Sequence, residues 1–264
     1  MSFQSSLPFA AITATLLSAS SFGALMAGDV AIVGFQASGV PTDSVSFVTF
    51  VDLAPGTVLY FTDNGWTGSA FRGVSATDGD GNETLMRFTV INTITAGTII
   101  GSKVSSADYA FATSGLIGSG TSTFAHLSLS ASGEQVTILE STNSSNPIFS
   151  GFTALYNFDN TSAYEASTTS ATGSLATGLT QGYSAVLLSN TANSAMFNLN
   201  TLSSGTQSEW LAAIGNAANW TTGTGTSDAG SGFISVVPAP GFLCLLGCAG
   251  LIGSRRRRSA RGTS

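Results

Sequence analysis

The sequence predicts an all-β sandwich with one short helix near its C-terminal end. Short apolar segments rich in β-branched and aromatic residues recur through residues 28–237, and turn-forming residues separate them. These segments do not alternate with long helical patterns, as they would in a parallel α/β fold. The length of this body is enough for one large β domain.

Five strands are predicted in the first half of the body, over residues 30–35, 45–51, 57–62, 84–90 and 97–100. The second and third are separated by a turn at 52–56, where Gly56 follows Pro55. Pro presets φ for the second position of such a turn and Gly adopts the positive φ of the third.

Four strands are predicted in the second half, over residues 124–129, 135–139, 152–156 and 183–188. A helix should begin after Thr206, because Thr206 and Glu209 form a capping box, and end at Gly215. Trp220 is expected to pack back and close the domain at residue 221. Residues 222–236 are predicted to be a flexible linker, because residues 222–232 are rich in Gly, Thr and Ser and poor in apolar side chains.

Charge is distributed very unevenly along the chain. Five of the eight basic residues lie at 255–261, whereas residues 28–237 carry three basic and all 14 acidic side chains, a net charge of −11. An acidic body disfavours binding to nucleic acid. Both cysteines, Cys244 and Cys248, lie in the tail, so the body is predicted to fold without a disulfide.

The last 28 residues combine three features in order. The segment Val237-Pro238-Ala239-Pro240-Gly241 precedes an apolar stretch at 242–253, which is followed by Arg255, Arg256, Arg257 and Arg258. Residues 233–253 carry no charge, close to the ~20 residues that a membrane-spanning helix needs. Arginines are retained on the cytoplasmic side. The tail therefore predicts a transient inner-membrane anchor with its C-terminus in the cytoplasm.

This arrangement over residues 237–258 resembles the PEP-CTERM sorting signal of exported bacterial proteins, with residues 259–264 as a short tail. Ala239 stands where that family usually carries Glu. The resemblance implies recognition by an exosortase-type membrane enzyme, cleavage near 237–241, and release or attachment at the cell surface. Residues 1–27, uncharged apart from the α-amine, are predicted to be a secretory signal peptide cut after Ala27.

Three body segments, at 28–35, 50–57 and 61–66, resemble a module of bacterial surface proteins that is similar to lamin-tail-type immunoglobulin-like sandwiches. The helix near residue 210 and the segment 219–221 fit the same pattern. The resemblance implies an immunoglobulin-like fold over residues 28–221 and carries over no catalytic residue.

An acidic loop is the first candidate site. Asp78, Asp80, Asn82 and Glu83 offer alternating oxygen ligands in a Gly-rich loop that suit Ca²⁺. Glu83 and Thr89 stand where an EF-hand loop would have Gly and Glu. The alternative is a solvated acidic turn before the next strand.

Trp66 is the second candidate, since an exposed indole beside Tyr60 or Phe71 could stack on a sugar ring. The alternative is that Trp66 packs over a loop while Asn64-Gly65 forms a tight turn. His126, the single histidine, is interpreted as a strand residue.

Together these patterns predict an exported, non-enzymatic surface or extracellular-matrix protein. Its partners would be the export machinery, the processing enzyme and extracellular polysaccharide, with no cofactor other than Ca²⁺. The alternatives are an extracellular hydrolase and a Ca²⁺-dependent adhesin.

Overall fold

The computed structural model describes residues 23–37, 43–72, 85–112, 115–117, 122–124, 127–130, 133–165, 173–189, 191–223 and 232–239, with backbone alone at 115–117 and 122–124. Within these ranges the chain forms two β-sheets and one short α-helix. The prediction of an all-β sandwich is confirmed at this level.

The strands of the described chain follow one another from the N-terminal side. They are β1 (Val30–Gln36), β2 (Ser44–Thr49), β3 (Val58–Thr62), β4 (Leu85–Val90), β5 (Thr98–Gly101), β6 (Tyr109–Ala112), β7 (Gly115–Ile117), β8 (Ser122–Phe124), β9 (Gln135–Ser141), β10 (Phe152–Asp159), β11 (Ala185–Leu187), β12 (Ser194–Phe197), β13 (Trp220–Gly223) and β14 (Gly232–Phe233).

The smaller sheet has the order β13-β12-β1-β2-β5-β14, and every pairing within it is antiparallel. The larger sheet has the order β11-β10-β9-β3-β4-β8-β7, with β6 also paired to β4. Parallel pairing occurs there between β10 and β11 and between β4 and β8. A register shift at Val33 in β1 and another at Leu155 in β10 mark β-bulges.

The predicted helix is confirmed. The helix α1 (Gln207–Ile214) begins after Thr206, whose hydroxyl accepts the Glu209 amide while the Glu209 carboxylate accepts the Thr206 amide. It ends at Gly215. Two 3₁₀ turns flank it, at Leu199–Thr201 and Ala217–Asn219. Among the described helices none is long and apolar enough to cross a membrane.

The two sheets pack face to face through large aromatic side chains. Phe35 of β1 stacks on Phe158 of β10 with ring centroids 4.8 Å apart. Phe47 of β2 meets Phe61 of β3 and Phe88 of β4, both at 5.2 Å. Pairs of this geometry add to the stabilisation from buried area. The main core therefore lies between the sheets.

The larger sheet is covered on its outer face as well. Trp66, Phe71 and Phe152 form a second aromatic cluster with Tyr60. Polar side chains of this sheet, such as those of Thr137 and Asn157, are consequently fully buried and bond each other across the strands. A prediction from the alternation of apolar and polar residues therefore underestimates how much of these strands is buried.

Several elements differ from the predictions. A strand predicted at 124–129 is observed only as β8, and residues 127–130 are not strand. The predicted linker at 222–236 is structured at its described ends, because Thr222 and Gly223 belong to β13 and β14 pairs with β5. The turn after β3 lies at 67–70, where the Thr67 amide bonds to Ala70 O, and not at Asn64-Gly65.

The strand directions give the sandwich two distinct ends. One end is where β1, β3 and β10 begin, and residues 23–29 and 232–239 lie there. We call it the terminal end. We call the opposite end the acidic end. It carries Asp43, Asp63, Glu134 and Asp159.

Candidate functional site

Four buried carboxylates mark the acidic end. Asp43 precedes β2, Asp63 follows β3, Glu134 precedes β9 and Asp159 ends β10. Their exposed fractions are 5%, 0%, 1% and 0%. Carboxylates are seldom buried to this degree unless they are paired or accept hydrogen bonds. This concentration of buried charge is the feature that most resembles a functional site among the described residues.

Three of these carboxylates bind one short backbone segment. The amide of Ser128 donates to Asp63 Oδ2 at 2.8 Å, that of Leu129 to Asp43 Oδ2 at 2.9 Å, and that of Ser130 to Glu134 Oε2 at 2.9 Å. Three successive amides are thus accepted by Asp63 and Asp43, which are distant in sequence, and by the nearby Glu134. Because Asp43 adjoins the smaller sheet and the other two adjoin the larger, segment 127–130 closes this end of the sandwich.

A second set of hydrogen bonds joins β9 to the chain after β10. The Glu134 amide donates to Asn160 Oδ1, and the Asn160 amide donates to Glu134 O at 3.0 Å. The Asn160 side chain also donates to Ala192 O at 2.8 Å. Asn160 therefore links three loops while remaining fully buried.

Asp159 differs from the other three carboxylates. Its Oδ1 accepts the Thr161 amide at 2.6 Å, whereas its buried Oδ2 has no hydrogen-bond partner among the described atoms. Burial raises the pKa of Asp159 to about 6; the hydrogen bonds from Thr161 oppose this shift and the charge of Glu165 adds to it. Burial, and then the charge of Asp159, also raises the pKa of the neighbouring Tyr164 phenol.

The side chains of the acidic end act mainly on the backbone, which they hold in place through hydrogen bonds. Three of its carboxylates accept hydrogen bonds from successive backbone amides, and the described residues contain no group of three or more His, Cys, Asp or Glu side chains arranged to hold a metal ion. Hydrogen bonds to a charged acceptor contribute about 1.5–3 kcal/mol each. The acidic end is therefore best described as a closure of the fold.

Trp66 does not fit the sugar-stacking hypothesis. Its exposed fraction is 5%, and its ring meets Phe71 at 5.0 Å and Phe152 at 5.8 Å, both edge-on. Tyr60 and Phe71 are buried with it. Since the indole offers no open face, the prediction is corrected: Trp66 is a core residue of the second cluster.

The remaining predicted sites lie outside the described residues, wholly or in part. Outside are the Ca²⁺ candidates Asp78, Asp80, Asn82 and Glu83, together with His126, Pro240, Gly241, Arg255, Arg256, Arg257 and Arg258. Val237, Pro238 and Ala239 of the sorting motif are described, and all three are exposed.

The C-terminal segment is bound to the terminal end just before that motif. β14 pairs with β5, and the side chain of Ile234 is buried in the main core. The Ile234 amide donates to Gly97 O at 2.8 Å. Gly97 has φ +89°, and a Cβ there would overlap the carbonyl oxygen of Ile234. Only glycine permits this close approach.

Two further contacts hold the next residues. The Trp210 indole donates to Ser235 O at 3.0 Å, so α1 is joined directly to the C-terminal segment. The Gly205 amide donates to Ser235 O at 3.1 Å, and the Val237 amide donates to Gly205 O at 2.8 Å. The last residue held by a backbone hydrogen bond in the described chain is therefore Val237, the first of the motif.

The N-terminal segment is bound at the same end. The Leu25 amide donates to Glu140 Oε2 at 3.2 Å and the Met26 amide to Asp29 Oδ2 at 2.8 Å. The side chain of Gln207 on α1 reaches the Gly28 carbonyl at 2.9 Å. An open groove of about 330 Å³ borders this segment, lined in part by Asp29, Asp52 and Glu140.

Sequence reasoning missed both the four-carboxylate closure and the bound C-terminal segment. Glu134 adjoins the strand predicted at 135–139 and Asp159 lies three residues after the strand predicted at 152–156, which is a signal for a cap or turn but not for burial. The strand β14 has only two residues and lies in a Gly- and Ser-rich stretch, so no hydrophobic periodicity marks it in the sequence.

Comparisons with protein-family models, curated proteins and solved structures return no match to this chain. The resemblances to the PEP-CTERM signal and to the lamin-tail-type sandwich therefore stay predictions from the sequence.

Proposed function

We propose that this chain is an exported, non-enzymatic surface module whose sandwich is displayed outside the bacterial inner membrane. In this proposal residues 237–258 are a sorting signal for an exosortase-type enzyme, and the mature protein enters the cell envelope or extracellular matrix. The immunoglobulin-like assignment belongs to the same proposal. It is supported by two packed, mainly antiparallel sheets.

One observation carries the proposal. The fold holds the chain up to Val237 and leaves Pro238 and Ala239 exposed as the first residues beyond it. A processing enzyme needs an accessible, unpaired segment, and a motif at this position meets that need. Cleavage near 237–241 would leave β14, Ile234 and the Trp210–Ser235 hydrogen bond in the mature protein.

The charge of the chain supports the same placement. The acidic body has little attraction to anionic lipid headgroups, whereas the arginine cluster at 255–258 favours retention on the cytoplasmic side. Extracellular polysaccharide is the partner that the proposal names for the mature protein.

The test is cell fractionation with matched truncations. Deleting residues 240–264 leaves every described contact in place, so the body should fold while the protein fails to reach the surface fraction in its processed form. Replacing Arg255, Arg256, Arg257 and Arg258 by Gln should have the same effect without shortening the chain. The proposal is wrong if the truncated protein reaches the same fraction in the same amount.

A further inference from the structure

We infer that the leader is removed by cleavage between Gly23 and Ala24, so that the mature chain begins at Ala24 and not at Gly28. The inference rests on the proposed export of the protein. It differs from the cut after Ala27 that the sequence predicts, and the reason lies in the contacts of residues 24–29.

Leu25 belongs to the folded body. Its side chain is 9% exposed and forms part of the main core between the sheets. Its amide donates to the carboxylate of Glu140, 115 residues further along the chain and near the end of β9. A residue with such long-range contacts is part of the domain and not of a disposable leader.

Met26 continues the attachment through Asp29. The Met26 amide donates to Asp29 Oδ2 at 2.8 Å, and the Asp29 amide returns a bond to Met26 O at 2.9 Å. Asp29 is also held by Gln207 of α1 at 3.1 Å. The turn 26–29 is therefore closed on both sides and anchored to the helix.

Gly28 is a poor place for a new amino terminus. It is buried with φ +92°, and its amide donates to Leu155 O at the β10 bulge at 2.8 Å. A Cβ there would lie 2.8 Å from a Leu211 methyl carbon and 3.3 Å from the Tyr183 ring. A cut after Ala27 would place a charged α-ammonium group at this buried position, where burial of a charge is costly, and would remove the Leu25 and Met26 contacts.

The residues before the proposed cut also suit a leader peptidase, which prefers small side chains at the first and third positions before the bond. A cut after Gly23 has Gly23 and Ser21 there, whereas a cut after Ala27 has Ala27 and the large Leu25. Hydrolysis breaks the Gly23–Ala24 amide. Water supplies a hydroxyl to the Gly23 carbonyl carbon, and the Ala24 nitrogen leaves as the new amine with the proton.

Two matched substitutions separate the sites. Gly23 is exposed, and a Cβ there meets no atom within 4 Å, so the folded body tolerates Gly23→Gln. Ala27→Gln places the same side chain before the alternative bond. The exported protein is recovered from each strain, and its amino terminus is read by sequential degradation and intact mass.

The expected result is that wild type and Ala27→Gln both begin at Ala24, while Gly23→Gln reduces that product at least tenfold. A wild-type product beginning at Gly28, lost in Ala27→Gln, overturns the inference and leaves the proposed export standing. A chain that keeps Met1 and stays in the cytoplasm overturns both.

Discussion

The two ends of the sandwich are secured by different means. At the terminal end the chain enters and leaves through backbone pairing, two buried aliphatic side chains, Leu25 and Ile234, and the helix α1. At the acidic end, buried carboxylates hold the backbone of segment 127–130. The C-terminal segment of the first end is held by uncharged contacts next to a proposed processing site, whereas the second end depends on charge.

This difference separates two kinds of sensitivity. Loss of the C-terminal segment should weaken the terminal end at any pH, because its contacts, the buried Ile234 side chain and neutral hydrogen bonds such as that from Trp210 to Ser235 O, carry no charge. The acidic end should respond to pH and to removal of a carboxylate, because a buried charge that loses its partner is costly. Stability measurements on variants of each end test that contrast.

Truncation after Gly223 should have the largest effect. It removes β14, the buried Ile234 side chain and the acceptor of the Trp210 indole. Loss of a buried aliphatic side chain and one hydrogen bond corresponds to about 4 kcal/mol. The melting temperature should fall by roughly 10 °C in calorimetry. Truncation after Ala239 is the control and should leave the melting temperature unchanged. An equal fall in the control would show that the loss does not come from β14 and Ile234.

Glu134→Ala should cost about 3 kcal/mol at the acidic end, because the amides of Ser130 and Gln135 lose their charged acceptor in a buried site. Chemical denaturation at neutral pH measures the loss. Glu134→Gln keeps an acceptor oxygen and should lose less. If both variants are as stable as wild type, the closure by carboxylates contributes nothing.

Asp159→Asn should change stability in a pH-dependent way. The folded pKa of about 6 lies above the ordinary value of 3.8, so the folded state binds the proton more tightly. The resulting stability is present below pH 3.8 and is lost as pH rises through 6. In Asp159→Asn the side chain carries no charge at any pH, so stability is not lost in this way.

The variant should therefore gain roughly 3 kcal/mol over wild type at pH 8 and less than about 1 kcal/mol at pH 4. Thermal melts across that range measure the difference between the two proteins. A difference that stays constant with pH would show that Asp159 titrates normally in the folded protein.

Thr206→Ala should have the smallest effect, about 1 kcal/mol, because it removes one N-terminal cap from α1 at the terminal end. The loss is measured by chemical denaturation at pH 6 and pH 8, where Glu209, the other half of the capping box, is ionised because the hydrogen bonds from Thr206 lower its pKa. Thr206→Ser is the control and should retain the cap. A loss that appears at only one of these pH values would contradict the separation of this cap from the titration of Asp159 at the acidic end.

The contrast also shows which features the sequence could predict. The capping box of α1 is local, so Thr206 and Glu209 identified the helix start to the residue. The early strands were predictable for the same reason, since their apolar runs are continuous. The turn at Pro55-Gly56 was also local, and Gly56 has the expected positive φ of 88°.

Features built from distant residues were not predictable in this way. The closure at 128–130 requires Asp43, Asp63 and Glu134 to meet, which depends on the register of both sheets. Trp66 appeared available for a ligand because nothing near it in sequence shows that Phe152 covers its ring. β14 forms because β5 offers an edge, not because Gly232 and Phe233 favour a strand.

The C-terminal residue of the exported protein, read by mass spectrometry of the surface fraction, tests the proposed function most directly. The proposal predicts a chain ending between Val237 and Gly241, with the bound segment 232–237 retained. An exported protein that still carries Arg255, Arg256, Arg257 and Arg258 would contradict it.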